Sequence, residues 1–156
     1  DRGCMTSQLA DWPEKTAVIT GGAAGIGRAT SLMFAKEGAQ VIILDIQDEA
    51  GQETVQMIEK VGGFGHFYQT DVSKKDQVDR AFDAIKSDIG PYDILLNHAG
   101  NIIVKPLQTS TEEDDDRIMD INVRSAFLVC RRALPEMVAN GGGSVVITTS
   151  IASELG

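Results

Sequence analysis

The chain has 156 residues, 42% of them hydrophobic and 24% charged, enough for one domain with a sizeable buried core. With a formal net charge of −9 and a pI of about 4.6, a basic face for nucleic acid or anionic lipid is not expected. Apolar runs such as residues 41–44 are strand length, far short of the roughly 20 residues of a membrane span.

Residues 1–12 read as an N-terminal extension or tag remnant, because Asp1-Arg2-Gly3-Cys4 precedes Met5 and carries no apolar leader segment. Residues 13–156 read as a single domain. Cys4 and Cys130 are too few for a disulfide framework or a zinc site, so a reducing compartment, the cytoplasm, is expected. Cys130 sits in an apolar helical stretch and reads as core filling.

From residue 13 onward short apolar runs alternate with amphipathic stretches, the pattern of βαβ units. The first strand is expected at residues 16–20 and runs into Thr20-Gly21-Gly22-Ala23-Ala24-Gly25-Ile26-Gly27. Gly21 would turn the chain off the strand. Gly25 would remove a Cβ that blocks a phosphate, and Gly27 would let the next helix pack close to the sheet. That helix would offer free N–H groups and a positive dipole end to a pyrophosphate, with Gly21, Ala24, Gly25, Ile26 and Gly27 as the cofactor turn. A ligand-free structural turn is the competing reading of the same glycines.

The helix over residues 25–37 puts Ile26, Ala29 and Met33 on one face, with Gly38 as its stop. A second strand at residues 40–45 ends in Asp45, whose carboxylate suits the hydroxyls of an adenosine ribose and repels a 2′-phosphate. Neither Ala24 nor Ile46 supplies a cation for such a phosphate, so NAD is expected over NADP. A helix over residues 48–60, with Val55, Ile58 and Val61 as its apolar face, leads to a third strand at residues 65–70. Ser73 is the expected N-cap of the next helix, whose stripe is Val78, Ala81, Phe82 and Ile85. A fourth strand is expected at residues 93–97 and a fifth at residues 144–149. The uniformly apolar centres of most of these strands suit parallel strands covered on both faces.

Between the last two strands, one helix is expected over residues 112–137. Ile118, Ile121, Ser125 and Leu128 flank its polar stripe on one side, and Met119, Val123, Phe127, Cys130 and Leu134 on the other. That is more apolar surface than one sheet face needs. It predicts a second contact, either another subunit in a homodimer or homotetramer or the remainder of a larger domain. The five acids at residues 112–116 suit a helix start through the dipole and solvation, and no metal site is assigned to them.

Thr20, Gly21, Gly25 and Gly27 fit the pattern Thr-Gly-x-x-x-Gly-x-Gly, and Asp71-Val72 fits an adenine-edge dipeptide after the third strand. Asn97-His98-Ala99-Gly100 fits Asn-Asn-Ala-Gly with His in second place, and Asn122 and Ser150 fit a helix Asn and a strand-end Ser. On these residues the chain resembles the short-chain dehydrogenase/reductase family. The resemblance implies an α/β fold, a Rossmann-type doubly wound parallel sheet with strands in the order 3-2-1-4-5 and the family's later strands absent. It also implies an NAD-dependent oxidoreductase acting on a secondary alcohol or carbonyl.

By that resemblance Asp71 and Val72 meet the adenine, and Ala99 and Gly100 leave room at the nicotinamide ribose. Asn97 ties neighbouring strands together, Asn122 supports a water, and Ser150 polarises the substrate oxygen. His98 is given no proton-transfer role, and His66, on a strand without a visible partner, none at all. The family's proton-transferring Tyr belongs to a Tyr-x-x-x-Lys motif, which neither Tyr68 nor Tyr92 satisfies. The chain is therefore expected to hold the cofactor-binding part of a longer protein and to be inactive alone, with residues 145–147 as an exposed apolar edge. A non-catalytic NAD-binding or oligomerisation fragment is the alternative, and a flavin or sugar nucleotide in the same crevice a weaker one. Asn101-Ile102-Ile103-Val104 suggests an apolar wall to the substrate pocket.

Overall fold

The computed structural model describes residues 14–150. Five parallel strands form one sheet in the order β3-β2-β1-β4-β5. They are β1 (Thr16–Thr20), β2 (Gln40–Asp45), β3 (Phe64–Gln69), β4 (Ile94–Asn97) and β5 (Ser144–Ile147). The connecting helices are α1 (Gly25–Lys36), α2 (Asp48–Lys60) and α3 (Lys75–Asp88), followed by α4 (Glu112–Met119) and α5 (Ser125–Ala139).

β1 lies at the centre because every one of its side chains has somewhere to go. Val18, with Ile42 and Leu44 of β2, packs toward α3 and α5 among Phe82, Ile85, Tyr92, Leu95 and Val129. Ile19, with Val41 and Ile43, packs the other way among Ala35 of α1 and Ile58 of α2. The period of two sends alternate residues of each strand to opposite faces, and helices cover both. All of β1 is buried. Asp93 anchors its start by accepting from the Thr16 N–H at 3.0 Å and pairing with Lys15 at 3.0 Å.

The expected stripe of α3 is the buried one, Val78, Ala81, Phe82 and Ile85. α1 departs from expectation. Its buried residues are Gly27, Ser31 and Ala35, while Ile26 and Met33 stand 72% and 67% exposed. Small residues win this face because the helix crosses the chain at van der Waals distance, and a large side chain there would hold it off the sheet. α2 likewise turns Gly51, Thr54 and Ile58 inward and leaves Val61 exposed at its C-cap.

Other corrections are local. Ser73 is not the cap of α3: Lys74 holds that position without a side-chain bond, and the Ser73 hydroxyl donates to Asp71 Oδ1 at 2.6 Å. β3 begins and ends one residue earlier than expected, β4 begins one residue later, and β5 ends two residues sooner. His66 does have a partner, with its Nε2 lying 2.9 Å from Gln40 Nε2.

The long helix is interrupted by a π turn at Asp120–Arg124 between α4 and α5, and α5 then runs on to Ala139. Its two apolar sides part company. Ser125 and Leu128 are buried, whereas Met119, Val123, Phe127 and Leu134 are 47%, 55%, 64% and 42% exposed, with Val138 at 72% further along. Cys130 is half-buried against the core, and burial pushes its thiol pKa up. On β5, Val145, Val146 and Ile147 are exposed as well. No helix among the described residues is long and apolar enough to cross a membrane.

Candidate functional site

The C-terminal ends of β1 to β4 open into one cleft of about 620 Å³, a size suited to a small molecule or cofactor. Gly21, Ala24, Gly25 and Ile26 line it after β1, and Leu44, Asp45, Ile46 and Gln47 at the end of β2. Thr70, Asp71 and Val72 follow β3, and His98, Ala99, Gly100 and Asn101 follow β4. Arg117 of α4 and Ile121 of the π turn complete the wall. Parallel sheets place ligand sites here because helix N-termini and loops converge where the strand order reverses, between β1 and β4.

The turn after β1 is built for close backbone approach. A Cβ on Gly27 would lie 2.0 Å from the Gly21 carbonyl oxygen, so only glycine lets α1 start there. Gly25 has φ +53°, and a Cβ added to it meets nothing within 4 Å, so the space beside it is open. α1 has no side-chain cap at Ala24 and no acidic residue in its first turn, unlike α2, α3 and α4, which all carry acids there. Uncapped N–H groups and an unopposed dipole end therefore border the open space, a setting that fits a pyrophosphate.

Asp45 is only 8% exposed. Its Oδ2 accepts from the Ala23 N–H at 3.0 Å and its Oδ1 from the Gln47 N–H at 3.0 Å. One carboxylate thus fastens the glycine turn to the end of β2. Each oxygen keeps a further lone pair that a ribose hydroxyl could use. Asp71 is held similarly: its Oδ1 accepts from the N–H and hydroxyl of Ser73, and its own N–H donates to Gln77 Oε1 at 2.8 Å.

Thr20 is the organising residue that the sequence reading left without a role. Fully buried, its hydroxyl donates to Asn97 Oδ1 and accepts from the N–H groups of His98 and Ala99, each at 3.0 Å. One side chain joins β1 to β4 and fixes the loop over the cleft. Asn122, on the π turn, clamps the same loop from the other side. Its Oδ1 accepts from the Asn101 N–H and its Nδ2 donates to the Asn101 carbonyl, both at 2.8 Å. Single π turns inside α-helices recur at functional sites because the extra residue re-aims a side chain.

Ten predicted residues line the cleft: Gly21, Ala24, Gly25, Ile26, Asp45, Ile46, Asp71, Val72, Ala99 and Gly100. Gly27, Asn97 and Asn122 stand behind it as supports. Ser150 follows β5 past Thr148, whose N–H donates to the Asn97 carbonyl at 3.0 Å and whose hydroxyl lies 3.0 Å from His98 Nδ1. Ser150 is therefore near the β4 end without being part of the cleft wall. Gln47, His98, Arg117 and Ile121 line the cleft without having been assigned to it, because their positions depend on how the loops and α4 fold back over the sheet.

Both tyrosines lie off the cleft. Burial and a bond to Asp88 push Tyr68 up to about 12, while burial and the Glu136 carboxylate raise Tyr92, which is enclosed in the core. Neither shift suits proton exchange near neutral pH. Among the described residues no group of three His, Cys, Asp or Glu side chains could hold a metal ion.

The family model for short chain dehydrogenases matches residues 15–156. Cyclopentanol dehydrogenase of Comamonas testosteroni is 37% identical over 138 residues, covering 88% of this chain and 55% of that protein. A 3β-hydroxysteroid dehydrogenase of Mediterraneibacter gnavus is 38% identical over 146 residues, 92% of this chain and 52% of its own length. Among solved structures, a short-chain dehydrogenase/reductase from Mycobacterium marinum superposes with a TM-score of 0.88 at 34% identity, covering 92% of this chain and 59% of that one. A 7α-hydroxysteroid dehydrogenase complexed with NADH and 7-oxo glycochenodeoxycholic acid gives 0.86 at 35% identity, covering 90% and 55%. The chain spans about half the length of the curated relatives it matches.

Proposed function

The chain belongs to the short-chain dehydrogenase family, and from that premise we propose that it forms the cofactor-binding part of an NAD-dependent oxidoreductase acting on a secondary alcohol or carbonyl. The observation that carries this reading is the uncapped start of α1 beside the open space at Gly25, with the Asp45 carboxylate at the adjoining strand end. Relatives named for cyclopentanol and a 3β-hydroxysteroid support the substrate class, and a structural neighbour bound to NADH supports the cofactor.

The nicotinamide cofactor, when bound, supplies the hydride donor or acceptor. The chain's own residues bind and orient it. Backbone N–H groups from Ala24 to Gly27 hold the pyrophosphate, Asp45 the adenosine ribose, and Asp71 and Val72 the adenine edge. Ala99 and Gly100, kept in place by Thr20 and Asn122, leave room for the nicotinamide ribose. Ser150 donates a hydrogen bond to the substrate oxygen. The proton-transferring Tyr and Lys that the family resemblance calls for have no counterpart in Tyr68 or Tyr92. This stretch alone therefore binds without turning over, and the cytoplasm remains the expected compartment.

Asp45 complicates the obvious test, since removing it also orphans the N–H groups of Ala23 and Gln47. Ile46 is the cleaner handle, being 61% exposed on the cleft wall with no buried bond to lose. In the full-length protein NADH should bind more tightly than NADPH by fluorescence titration. Ile46→Arg should narrow that gap by about tenfold through a charge-assisted phosphate contact. Equal affinities in the wild type would remove the ribose role from Asp45.

The exposed stripe Met119, Val123, Phe127, Leu134 and Val138 supports a homodimer or homotetramer formed through this helix. Phe127→Glu should then reduce the sedimenting species to a single chain in analytical ultracentrifugation. An unchanged sedimentation coefficient would rule the stripe out as the subunit contact.

A further inference from the structure

Among the described residues, the cleft wall contains two fixed acids, Asp45 and Asp71, and one fixed cation, Arg117. The protein around it carries a net charge of −9. A dinucleotide brings two ionised phosphates into that field, and the glycine turn offers them only backbone N–H groups. The other Arg near the turn is already committed. Arg28 donates from Nε to the Ala23 carbonyl and the Thr54 hydroxyl, both at 2.9 Å, and pairs through its terminal nitrogen with Glu53 at 2.7 Å.

Arg117 has no such engagement. Its side chain makes no hydrogen bond or ion pair among the described residues, although acids surround it in sequence. Asp120, three residues on, is held by Arg124 at 2.5 Å. Asp114 is held by Lys105 and by the Thr111 cap. Glu113, four residues back and well placed for a helical pair, is stabilised instead by the backbone and by Thr111. Nor does Arg117 neutralise a helix end, because α4 continues directly into the π turn.

We infer that Arg117 is a cofactor-binding residue, the counter-cation that α4 holds over the cleft for the phosphates of the dinucleotide. The inference rests on the proposal that the cleft takes NAD. It adds a side-chain contact for phosphates that the glycine turn meets with backbone N–H groups alone. A guanidinium suits this place because it stays charged and presents several N–H donors in a plane that matches phosphate oxygens. The long-range part of its effect is a more favourable local potential for an anion approaching an acidic protein.

The test compares wild-type, Arg117→Gln and Arg117→Lys full-length protein for binding of NADH and of uncharged adenosine, each at low and high salt. Circular dichroism confirms that every variant is folded. Arg117→Gln should weaken NADH by about three- to tenfold at low salt, with the difference shrinking as salt screens the charge. Arg117→Lys should retain most of the affinity, and adenosine should bind all three proteins alike. Equal NADH affinity in wild type and Arg117→Gln at low salt would overturn the inference while leaving the cofactor reading intact. A parallel loss for adenosine would overturn it in favour of adenine stacking. Failure of the wild type to bind NADH would overturn both.

Discussion

Gly27→Ala should cost the protein about 1–3 kcal/mol of stability, by the measure of overpacked cores, and weaken NADH binding by about tenfold or more. The added Cβ would sit 2.0 Å from the Gly21 carbonyl oxygen, a backbone atom that cannot swing aside. Either the turn or the start of α1 must move. Both belong to the same site: the Gly21 N–H donates to the Leu44 carbonyl at 2.8 Å, and the Ala23 N–H donates to Asp45. Displacing the turn thus strains its link to β2, while displacing α1 withdraws the N–H groups from the phosphate.

Gly25→Ala makes the informative contrast. A Cβ there meets no protein atom, so the stability cost is the left-handed backbone at φ +53°, about 1–2 kcal/mol. Its larger effect should fall on binding, because the methyl would occupy the open space beside the helix start. Urea unfolding and NADH titration on the two variants separate the effects. Wild-type stability and affinity in Gly27→Ala would mean that the contact relaxes freely and that the close approach of α1 is not what shapes the site.

The strands were legible because burial on both faces leaves a compositional mark. Val41, Ile42, Ile43 and Leu44 are apolar without interruption, and all are buried. α3 was legible for the opposite reason, since one face meets water and Val78, Ala81, Phe82 and Ile85 stand out at helical spacing. α1 misled because hydrophobicity does not choose its inner face. The Gly21–Gly27 contact sets how close the helix comes, and Gly27, Ser31 and Ala35 are the side chains small enough for that distance.

The glycine turn and strand-end acids were readable as a local pattern of residue types at fixed spacing. Thr20 was not, because its role depends on Asn97, His98 and Ala99, which lie 77 to 79 residues away and arrive only when β4 pairs with β1. Arg117 was hidden for the same reason: on a helix taken alone it is one charge in a polar stripe. The clamp between Asn122 and Asn101 sits on the π turn, whose departure from ordinary helical geometry leaves no mark in the residue pattern.

Ser150→Ala in the full-length protein should lower kcat by about a hundredfold or more, the cost of losing one preorganised donor to a developing oxyanion. NADH affinity should barely change, because Ser150 is not part of the cleft wall. What the structure contributes is the support beneath it. β5 pairs with β4 as far as Asn97 and Ile147, and Thr148 then continues the contact through its N–H to the Asn97 carbonyl. Asn97 is itself held by Thr20. The strand end that carries Ser150 is thus registered against the same buried hydroxyl that fixes the loop at Ala99. Thr20→Val, similar in shape but without the hydroxyl, should therefore weaken NADH binding and lower kcat together, where Ser150→Ala lowers kcat alone. Steady-state kinetics with NADH titration on both variants checks the separation. Unchanged turnover in Ser150→Ala would take Ser150 out of the chemistry and favour a protein that binds the dinucleotide without using this strand end.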